Sequence, residues 1–582
     1  MPSTQFARMG LAFIALVFSI AGTAQEWVQK SDEITRTVLN VQLQFNPEAG
    51  TRLGMQEFDE LIRDLQPDIY ERTRAANLKL IDRVAASART VEHPKVLQDL
   101  QILQQALRDE VVTEKLNHDH LLPYYNLSQY LFFAFRNQLD PRSEPARYPA
   151  ALVRLKKYTG IAAGYEPLTE LAKARTEERF ADPALTGPFS GELERDICNV
   201  ERFSAGLVQT FSASGLEGWQ EDLAVLQAQL LEYAVCVRVE ILPRARDDHR
   251  LPPEIYADNL KGFGVRAEPD ELIRAAQFGY QEIRGQMRSL ARQIANARGW
   301  ENGDLVWVMH ELKKEQIPPG EILEVYKNRL SVIEEIIRRE QIVTLPDRAA
   351  NIRLATDAES SAIPAPFMSP PQLINNTGQY GEFVLVQKNP SMEEGSQMDD
   401  WSHQSMTWAL TVHEARPGHE MQFASLVENG TSLARSTYAF NSANVEGWGL
   451  YSEAIMNEYL PLEGQLFTLM ARLQRAARMF MDPMVNLGRM TPEEAVSFMI
   501  REIGLSEAMA RSEADRYAFL APGQATSYYY GFMNLQRLRT EVELKLGDRF
   551  NQRKYHDFVL EQGLLPPDLL RKAILEDFIP AQ

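Results

Sequence analysis

Apolar residues recur at every third or fourth position along much of this chain. Between residues 318 and 340 they fall at Ile322, Tyr326, Leu330, Ile333 and Ile337, directly after a pair of prolines. This spacing puts them on one face of a helix, and a proline pair is typical of a helix start. The same pattern runs through residues 94–116, 216–241, 269–296, 462–481 and 524–547. The chain is therefore predicted to be mainly α-helical.

A β-prone run occurs at one place, Phe383–Val386, after a stretch rich in Pro, Gly and Asn over residues 362–381. It predicts a very small β element that forms a wall of a cleft. We find no repeat with a period of 20–50 residues and no low-complexity linker. The expected architecture is a large two-lobed helical bundle with a deep cleft. We expect residues 25–300 to form the flanking or lid lobe and residues 301–582 to form the lobe that carries the chemistry, within one continuous domain.

Residues 1–24 have the features of a secretory signal peptide. A single cation, Arg8, precedes an apolar run from Met9 to Ile20, and the small residues Gly22 and Ala24 stand before Gln25. The run is shorter than the roughly 20 residues of a membrane-spanning helix. We predict cleavage before Gln25, a periplasmic or secreted bacterial protein, and no stable membrane insertion after cleavage. The alternative is an uncleaved anchor.

The net charge of the chain excludes one class of binding partner, and its cysteine content limits the disulfide bonds that it can form. The chain has 61 Lys and Arg against 80 Asp and Glu, a net charge of −19, so it repels phosphate backbones and nucleic acid is excluded as a partner. Its two cysteines, Cys198 and Cys236, are too few for a disulfide scaffold. They are either buried free thiols or one disulfide.

The segment 411–422, TVHEARPGHEMQ, contains the most informative motif. His413 and Glu414 match the start of the zinc-peptidase motif H-E-x-x-H, in which the second histidine is four positions after the first. Here the next histidine is His419, six positions after His413. In a regular helix six residues turn through about 240°, so the two imidazoles would point apart. Pro417 removes a backbone hydrogen bond and Gly418 tolerates unusual backbone angles, so we predict a break that brings the histidines together. The alternative is a kinked helix whose histidines have unrelated roles.

A third metal ligand is available in NVEGWGLYSE, residues 444–453. Glu446 lies on what reads as the next helix. Two histidines and one carboxylate, with one position open, form a known catalytic zinc set. Glu453, two turns further along, either orients a ligand histidine or is a solvated acid.

These motifs resemble the family called domain of unknown function 885. Its patterns are H-E-x-x-P-G-H-x-x-Q and E-G-W-x-x-Y-x-E, and the similarity continues over at least residues 403–547. The family is regarded as similar to zinc metallopeptidases of the helical, cleft-forming gluzincin type. The resemblance implies Zn²⁺ on His413, His419 and Glu446, with Glu414 as general base. Asn486 stands where the family often has a histidine, which puts an auxiliary proton donor at that position in doubt.

Amide hydrolysis also needs a donor for the developing oxyanion. Tyr528, Tyr529 and Tyr530 are candidates, and the family pattern P-G-Q-A-x-x-Y-x-x-G favours Tyr528. Arg516, in the triplet DRY, either binds a substrate carboxylate or forms an internal ion pair.

The predicted function is an exported zinc metallopeptidase that acts on short peptides. Alternatives are a zinc amidase or esterase with a non-peptide substrate, and a non-enzymatic binding protein on a peptidase-like scaffold. The sequence has no G-x-S-x-G elbow, P-loop or dinucleotide fingerprint, which removes the main rival enzyme classes. The other close histidine pair, His118 and His120, is predicted to lie in a strand or loop without a metal.

Overall fold

The computed structural model describes residues 26–356, 359–360, 363, 365–386 and 399–582. The predicted signal peptide, residues 1–24, lies outside the described residues. The prediction of a mainly α-helical protein with a very small β element is confirmed. In this part of the chain the principal helices are 26–42 (α1), Pro47–Leu53 (α2), Ile69–Ala88 (α3), Pro94–His120 (α4), Leu127–Gln138 (α5), Pro149–Tyr158 (α6), Leu168–Glu177 (α7), Ser190–Ala213 (α8), Gln220–Cys236 (α9), Pro253–Gly262 (α10), Pro269–Arg298 (α11), Leu305–Lys313 (α12), Ile322–Arg339 (α13), Met406–Leu410 (α14), His419–Ser425 (α15), Ser442–Met456 (α16), Leu462–Asn486 (α17), Pro492–Phe498 (α18), Glu507–Asp515 (α19), Ser527–Leu546 (α20), Gln552–Glu561 (α21) and Pro567–Ala573 (α22).

Three short strands form one sheet: Asn351–Leu354 (β1), Phe367–Ser369 (β2) and Glu382–Leu385 (β3). The central strand β3 pairs in parallel with β1 and antiparallel with β2. The predicted strand therefore exists, and its residues from Phe383 onward are buried because the sheet packs into the core.

The largest apolar core takes its buried residues from Tyr256 to Phe578, together with Ile102. Its central element is α17, which is buried along almost its whole length. A second core draws on residues from Leu65 to Ile241. The division into two lobes at residue 300 stays a prediction.

The first helix, α1, reaches across the chain to the C-terminal half. Its Val38 packs in a cluster with Ala434, and Leu39 packs in a neighbouring cluster with Leu433. Asp32 also accepts a hydrogen bond of 2.7 Å from the backbone N–H of Leu433. Helix α1 is thus held against residues about 400 positions later in the sequence.

Helices α16 and α20 touch backbone to backbone. A Cβ on Gly447 would lie 2.7 Å from Cα of Gly531, and a Cβ on Gly531 would lie 1.8 Å from the carbonyl oxygen of Ala443. Only glycine allows this approach. It brings the segment with Glu446 beside the segment with Tyr528.

The structure corrects two local predictions. His118 and His120 lie in the last turn of α4 and not in a strand or loop, because the helix continues to His120. Both cysteines are free, and Cys198 is exposed rather than buried. No helix in the described part of the chain is long and apolar enough to cross a membrane.

Candidate active site

The helix that carries His413 ends before His419. Helix α14 continues into a π-helical turn, Thr411–Ala415, and Arg416 is extended. The Arg416–Pro417 peptide bond is cis, and α15 begins at His419. The predicted break is therefore confirmed.

Gly418 is the residue that permits this break. A Cβ at this position would lie 1.9 Å from the carbonyl oxygen of His413 and 2.4 Å from that of Val412. Contacts this short are impossible for any side chain, so the returning chain can pass this close to the preceding turn only with glycine here.

The break brings the three predicted ligands together. The Nε2 atoms of His413 and His419 lie 3.6 and 3.4 Å from the same oxygen of Glu446, Oε2. The two imidazole centroids are 4.7 Å apart and the rings are nearly perpendicular. Each residue offers a donor atom within 4.8 Å of the other two.

These separations suit a metal ion better than direct hydrogen bonds. Ligand atoms arranged tetrahedrally about 2.1 Å from a zinc ion are separated from one another by about 3.4 Å. The two nitrogen-to-oxygen distances, 3.6 and 3.4 Å, are close to that value. The chemistry of the donors, two imidazoles and one carboxylate, also suits zinc. The residues present therefore fit a zinc ion.

Glu453 orients His413. Its Oε1 lies 2.7 Å from Nδ1 of His413, and its side chain is only 1% exposed. A carboxylate on Nδ1 fixes the ring so that Nε2 faces the other two donors. Of the two roles left open for Glu453, the structure favours orientation over solvation.

Gly449, on the helix that carries Glu446, makes room for the His413 imidazole. A Cβ on Gly449 would lie 2.6 Å from Cε1 of His413. Sequence reasoning missed this residue, although the second glycine of EGWG was its signal.

The same helix fixes the chain between the two histidines. The Trp448 indole N–H donates to the carbonyl oxygen of Pro417 at 2.9 Å, and the Ser452 hydroxyl donates to the same oxygen at 3.3 Å. These two hydrogen bonds could not be predicted from the sequence, because they depend on how α16 lies against the Pro-Gly turn.

Buried ion pairs brace the turn from its other side. Arg416 is fully buried and donates to Glu420 at 2.9 Å and to Glu334 at 2.6 Å. Arg348 lies 2.7 Å from the other oxygen of Glu420. A buried charge is tolerated only with partners of this kind, so the network fixes the turn in one conformation.

A cavity of about 960 Å³ opens onto the three donors. Glu414 and Tyr528 line the same cavity. Most of the other lining residues are apolar and come from distant parts of the chain, among them Leu39, Leu43, Phe367, Met368, Phe423, Tyr438, Phe440 and Met470. The wall expected from the Phe383–Val386 run is made instead by the neighbouring strand β2, because the side chains of β3 from Phe383 onward are buried in the core and do not line the cavity.

The acids and the histidines shift one another's pKa values. Burial raises the pKa of Glu414, although both histidines oppose the shift. Burial acts in the same direction on Glu446, but its contacts with His413 and His419 prevail and hold its pKa well below the usual range. Burial lowers the pKa of His413, whereas Glu446 and Glu453 outweigh it and raise the pKa to about 9. The site therefore concentrates negative charge around the two imidazoles, which favours a bound cation.

Tyr528 is the tyrosine of the YYY triplet that lines this cavity. Its hydroxyl oxygen accepts a hydrogen bond of 2.8 Å from Nη2 of Arg516. Tyr530 lines a different cavity, and the Tyr529 hydroxyl packs over Gly279.

Arg516 also lines the cavity, but it already has internal partners. It donates to Tyr528 and to Gln524, and its Nη1 lies 3.5 Å from Glu513. Asn486 is buried outside this cavity, where its amide donates to the carbonyl oxygens of Asp482 and Tyr517 at 2.9 and 3.1 Å. Asn486 therefore has a structural role in this chain.

Fold and site together define a helical protein with a candidate metal centre on the wall of a large, mostly apolar cavity. The chain belongs to the family described as bacterial protein of unknown function (DUF885), whose profile matches residues 47–574. No curated protein matches it.

Two solved structures share the fold. One is described as a proposed lipoprotein of unknown function from Shewanella oneidensis; it has 18% identity and a TM-score of 0.72, and the match covers 93% of this chain and 99% of that one. The other is a proposed lipoprotein from Colwellia psychrerythraea, with 18% identity, a TM-score of 0.76, and 96% and 100% coverage. At this identity the likeness concerns the fold alone.

Proposed function

We propose that this protein is an exported, zinc-dependent metallohydrolase similar to the gluzincins, and that it cleaves short peptides. The observation that carries the proposal is the convergence of His413 and His419, whose Nε2 atoms lie 3.6 and 3.4 Å from the same oxygen of Glu446, on the wall of a large cavity that Glu414 also lines. Zinc held by these three residues supplies a Lewis acid that polarises a carbonyl group and lowers the pKa of water.

Glu414 is the general base in this proposal. It is next to a ligand in sequence, lines the cavity, and is not one of the three converging donors. It takes one proton from the attacking water and returns it to the leaving amine as the C–N bond breaks. The products are a carboxylic acid and an amine, so one water is consumed for each bond cleaved.

Tyr528 stabilises the negative charge that develops on the scissile carbonyl oxygen. Because Arg516 donates to the hydroxyl oxygen of Tyr528, the hydroxyl hydrogen stays available for a substrate acceptor. A donor held in place before the reaction needs no reorganisation as the charge appears.

The size and lining of the cavity support short peptides as substrates. A volume of about 960 Å³ is at the upper end for small-ligand sites and far too small for a folded protein. Its mostly apolar walls suit the side chains of a peptide. A zinc amidase or esterase would use the same residues, and a pure binding protein would have no use for Glu414.

Metal analysis combined with peptide digestion tests the proposal. We expect the purified protein to hold about one zinc per chain and to cleave components of a peptide mixture, as followed by mass spectrometry. Cleavage should stop on chelation and return with zinc. A protein that binds no zinc would revive the binding-protein alternative, and a zinc-loaded protein that leaves every peptide intact would favour the amidase or esterase.

Export is tested separately by N-terminal sequencing of protein from the periplasm or the medium. The mature chain should begin at Gln25. An intact Met1 on a cytoplasmic protein would refute the signal peptide.

A further inference from the structure

Helix α17 presents three arginines at intervals of three residues: Arg472, Arg475 and Arg478. The last two line the cavity of the candidate metal centre, as does Arg516 from the neighbouring turn. The guanidinium carbons of these three cavity arginines lie 5.9, 4.7 and 5.2 Å from the centroid of the Tyr528 ring, in that order. Tyr528 is thus surrounded by cations inside a protein whose net charge is −19.

Two of the three cations have partners. Arg478 forms a two-pronged ion pair with Glu513, at 2.7 and 2.6 Å. Arg516 donates to Tyr528 and Gln524 and approaches the same glutamate. Glu513 therefore compensates Arg478 fully and Arg516 in part.

Arg475 has no acidic partner. Among the residues that the structure describes, no carboxylate oxygen lies within 4.0 Å of its nitrogens, and its buried Nε has no hydrogen-bond acceptor. Its Nη1 makes only two long contacts of 3.3 Å, to the carbonyl oxygen of Ala471 and the side chain of Gln474. Glu453 and Glu446 act on this guanidinium only from a distance, so a bound anion in direct contact would gain a charge-assisted pairing that no described residue supplies.

We propose that Arg475 binds the free C-terminal carboxylate of the peptide substrate, so that the enzyme removes single amino acids from the C-terminus. This inference rests on the proposed function. The residue after the scissile bond spans about 3.8 Å between Cα atoms, so its carboxylate comes within reach of a group about 6 Å from Tyr528. A peptide α-amino group would be repelled by the same three cations, which argues against recognition of the N-terminus.

Arg475 suits this role better than Arg516, the residue that the sequence singled out. Arg516 uses its donors to hold Tyr528 and Gln524, whereas the fork of Arg475 is free to pair with both oxygens of a carboxylate. Arg516 is then a positioning residue for the Tyr528 hydroxyl.

Paired peptides that differ only at the C-terminus test the proposal. N-acetylated tripeptides are offered to the zinc-loaded protein as the free acid and as the amide, and the shared product of both, the N-acetylated dipeptide, is measured by mass spectrometry. We expect the free acid to lose its C-terminal residue and the amide to react about 10- to 100-fold more slowly. Equal rates for acid and amide would overturn the inference and leave the proposed function intact.

Variants assign the preference to a residue. Arg475→Gln should bring the ratio of kcat/KM for the free acid to kcat/KM for the amide down to about one, and Arg475→Lys should restore part of the preference. Arg472→Gln is the matched control, because Arg472 also has unpaired buried nitrogens but does not line this cavity. Thermal melting and zinc content establish that each variant is folded and loaded. A preference that survives Arg475→Gln contradicts the assignment.

Binding gives a second readout that needs no turnover. In the Glu414→Gln background, calorimetry should show the free acid binding about 10- to 100-fold more tightly than the amide, and adding Arg475→Gln should remove the difference. If wild-type protein cleaves no peptide at all, the proposed function fails, yet this binding comparison still decides the role of Arg475. Equal affinities for acid and amide would refute that role.

Discussion

Glu414 and His419 belong to one short segment, but substitutions at the two positions should change different quantities. Glu414→Gln keeps nearly the same shape and leaves all three metal donors in place, so zinc content should stay unchanged. Activity should fall by at least about 10²–10⁴, because the amide accepts no proton from water. Zinc analysis and kcat/KM on the same preparation measure both quantities.

His419→Ala is the paired control for this prediction. It removes a donor that lies 3.4 Å from Glu446, so it should lower zinc occupancy along with activity. The assignment of ligands is wrong if Glu414→Gln loses the metal while His419→Ala retains it.

Tyr528→Phe separates a catalytic hydroxyl from a structural one. Loss of one oxyanion donor typically lowers kcat by about 10²–10³. Tyr529→Phe is the control, because its hydroxyl packs over Gly279 and does not line this cavity; turnover of the folded, zinc-loaded variant should be close to wild type. An unchanged kcat in Tyr528→Phe would move the role to another donor.

At the scale of single residues, the sequence predicted the candidate metal donors but not the neighbouring residues that hold them in place. The convergence of His413, His419 and Glu446 could be predicted because metal binding calls for particular residue types at a workable spacing. Gly449 and the contact of Trp448 with Pro417 could not, because they depend on how closely α16 lies against the turn. That distance is a property of tertiary packing.

At the scale of secondary-structure elements, the helix break between His413 and His419 can be tested directly by one substitution. Gly418→Ala would place a methyl group 1.9 Å from the carbonyl oxygen of His413, so the turn must open and the two imidazoles must separate. We expect lower zinc affinity and a lower melting temperature, measured by chelator competition and by circular dichroism.

Gly285→Ala is the matched control for this substitution. Gly285 is exposed in the middle of α11, and a Cβ there meets no atom within 4 Å. Alanine should stabilise that helix by about 1 kcal/mol. A Gly418→Ala protein that binds zinc as tightly as this control would show that the break tolerates a side chain.

Long helices were predicted well, and short elements were not. The periodic segments 94–116, 269–296 and 462–481 correspond to α4, α11 and α17, each of which buries one continuous apolar face or more. Strand β2 was not predicted, because its three residues in a proline-rich stretch show no alternation of apolar and polar positions. Its position is set by pairing with β3, a contact that no local pattern encodes.

The whole molecule should lose stability in mild acid, partly through buried neutral histidines. Burial lowers the pKa of His556 to about 4, and the imidazole lies 2.8 Å from the Tyr451 hydroxyl and 2.7 Å from the carbonyl oxygen of Ile342. The unfolded chain, with a histidine pKa near 6.5, binds more protons between those two values. The contribution of His556 is therefore complete above about pH 6.5 and falls as the pH drops toward 4.

Urea denaturation at pH 7 and pH 5 measures this effect. His556 alone should account for about 2 kcal/mol of the loss in unfolding free energy between the two pH values. In His556→Gln, which is less stable at pH 7, the loss on acidification should be smaller by about that amount. An equal loss in both proteins would show that His556 takes up no proton on unfolding.

Helix α1 has a consequence for how the protein is made. Ribosomes synthesise this helix long before Leu433, yet Leu39 completes the cavity wall only when α1 packs against the region around Leu433. Contacts between segments about 400 residues apart form late, because a long loop must close before they do. A nascent chain that has emerged as far as the three candidate metal donors but has not yet docked α1 has an open, incomplete cavity. The cavity beside the candidate metal centre is therefore complete only after α1 has docked against the C-terminal half of the chain.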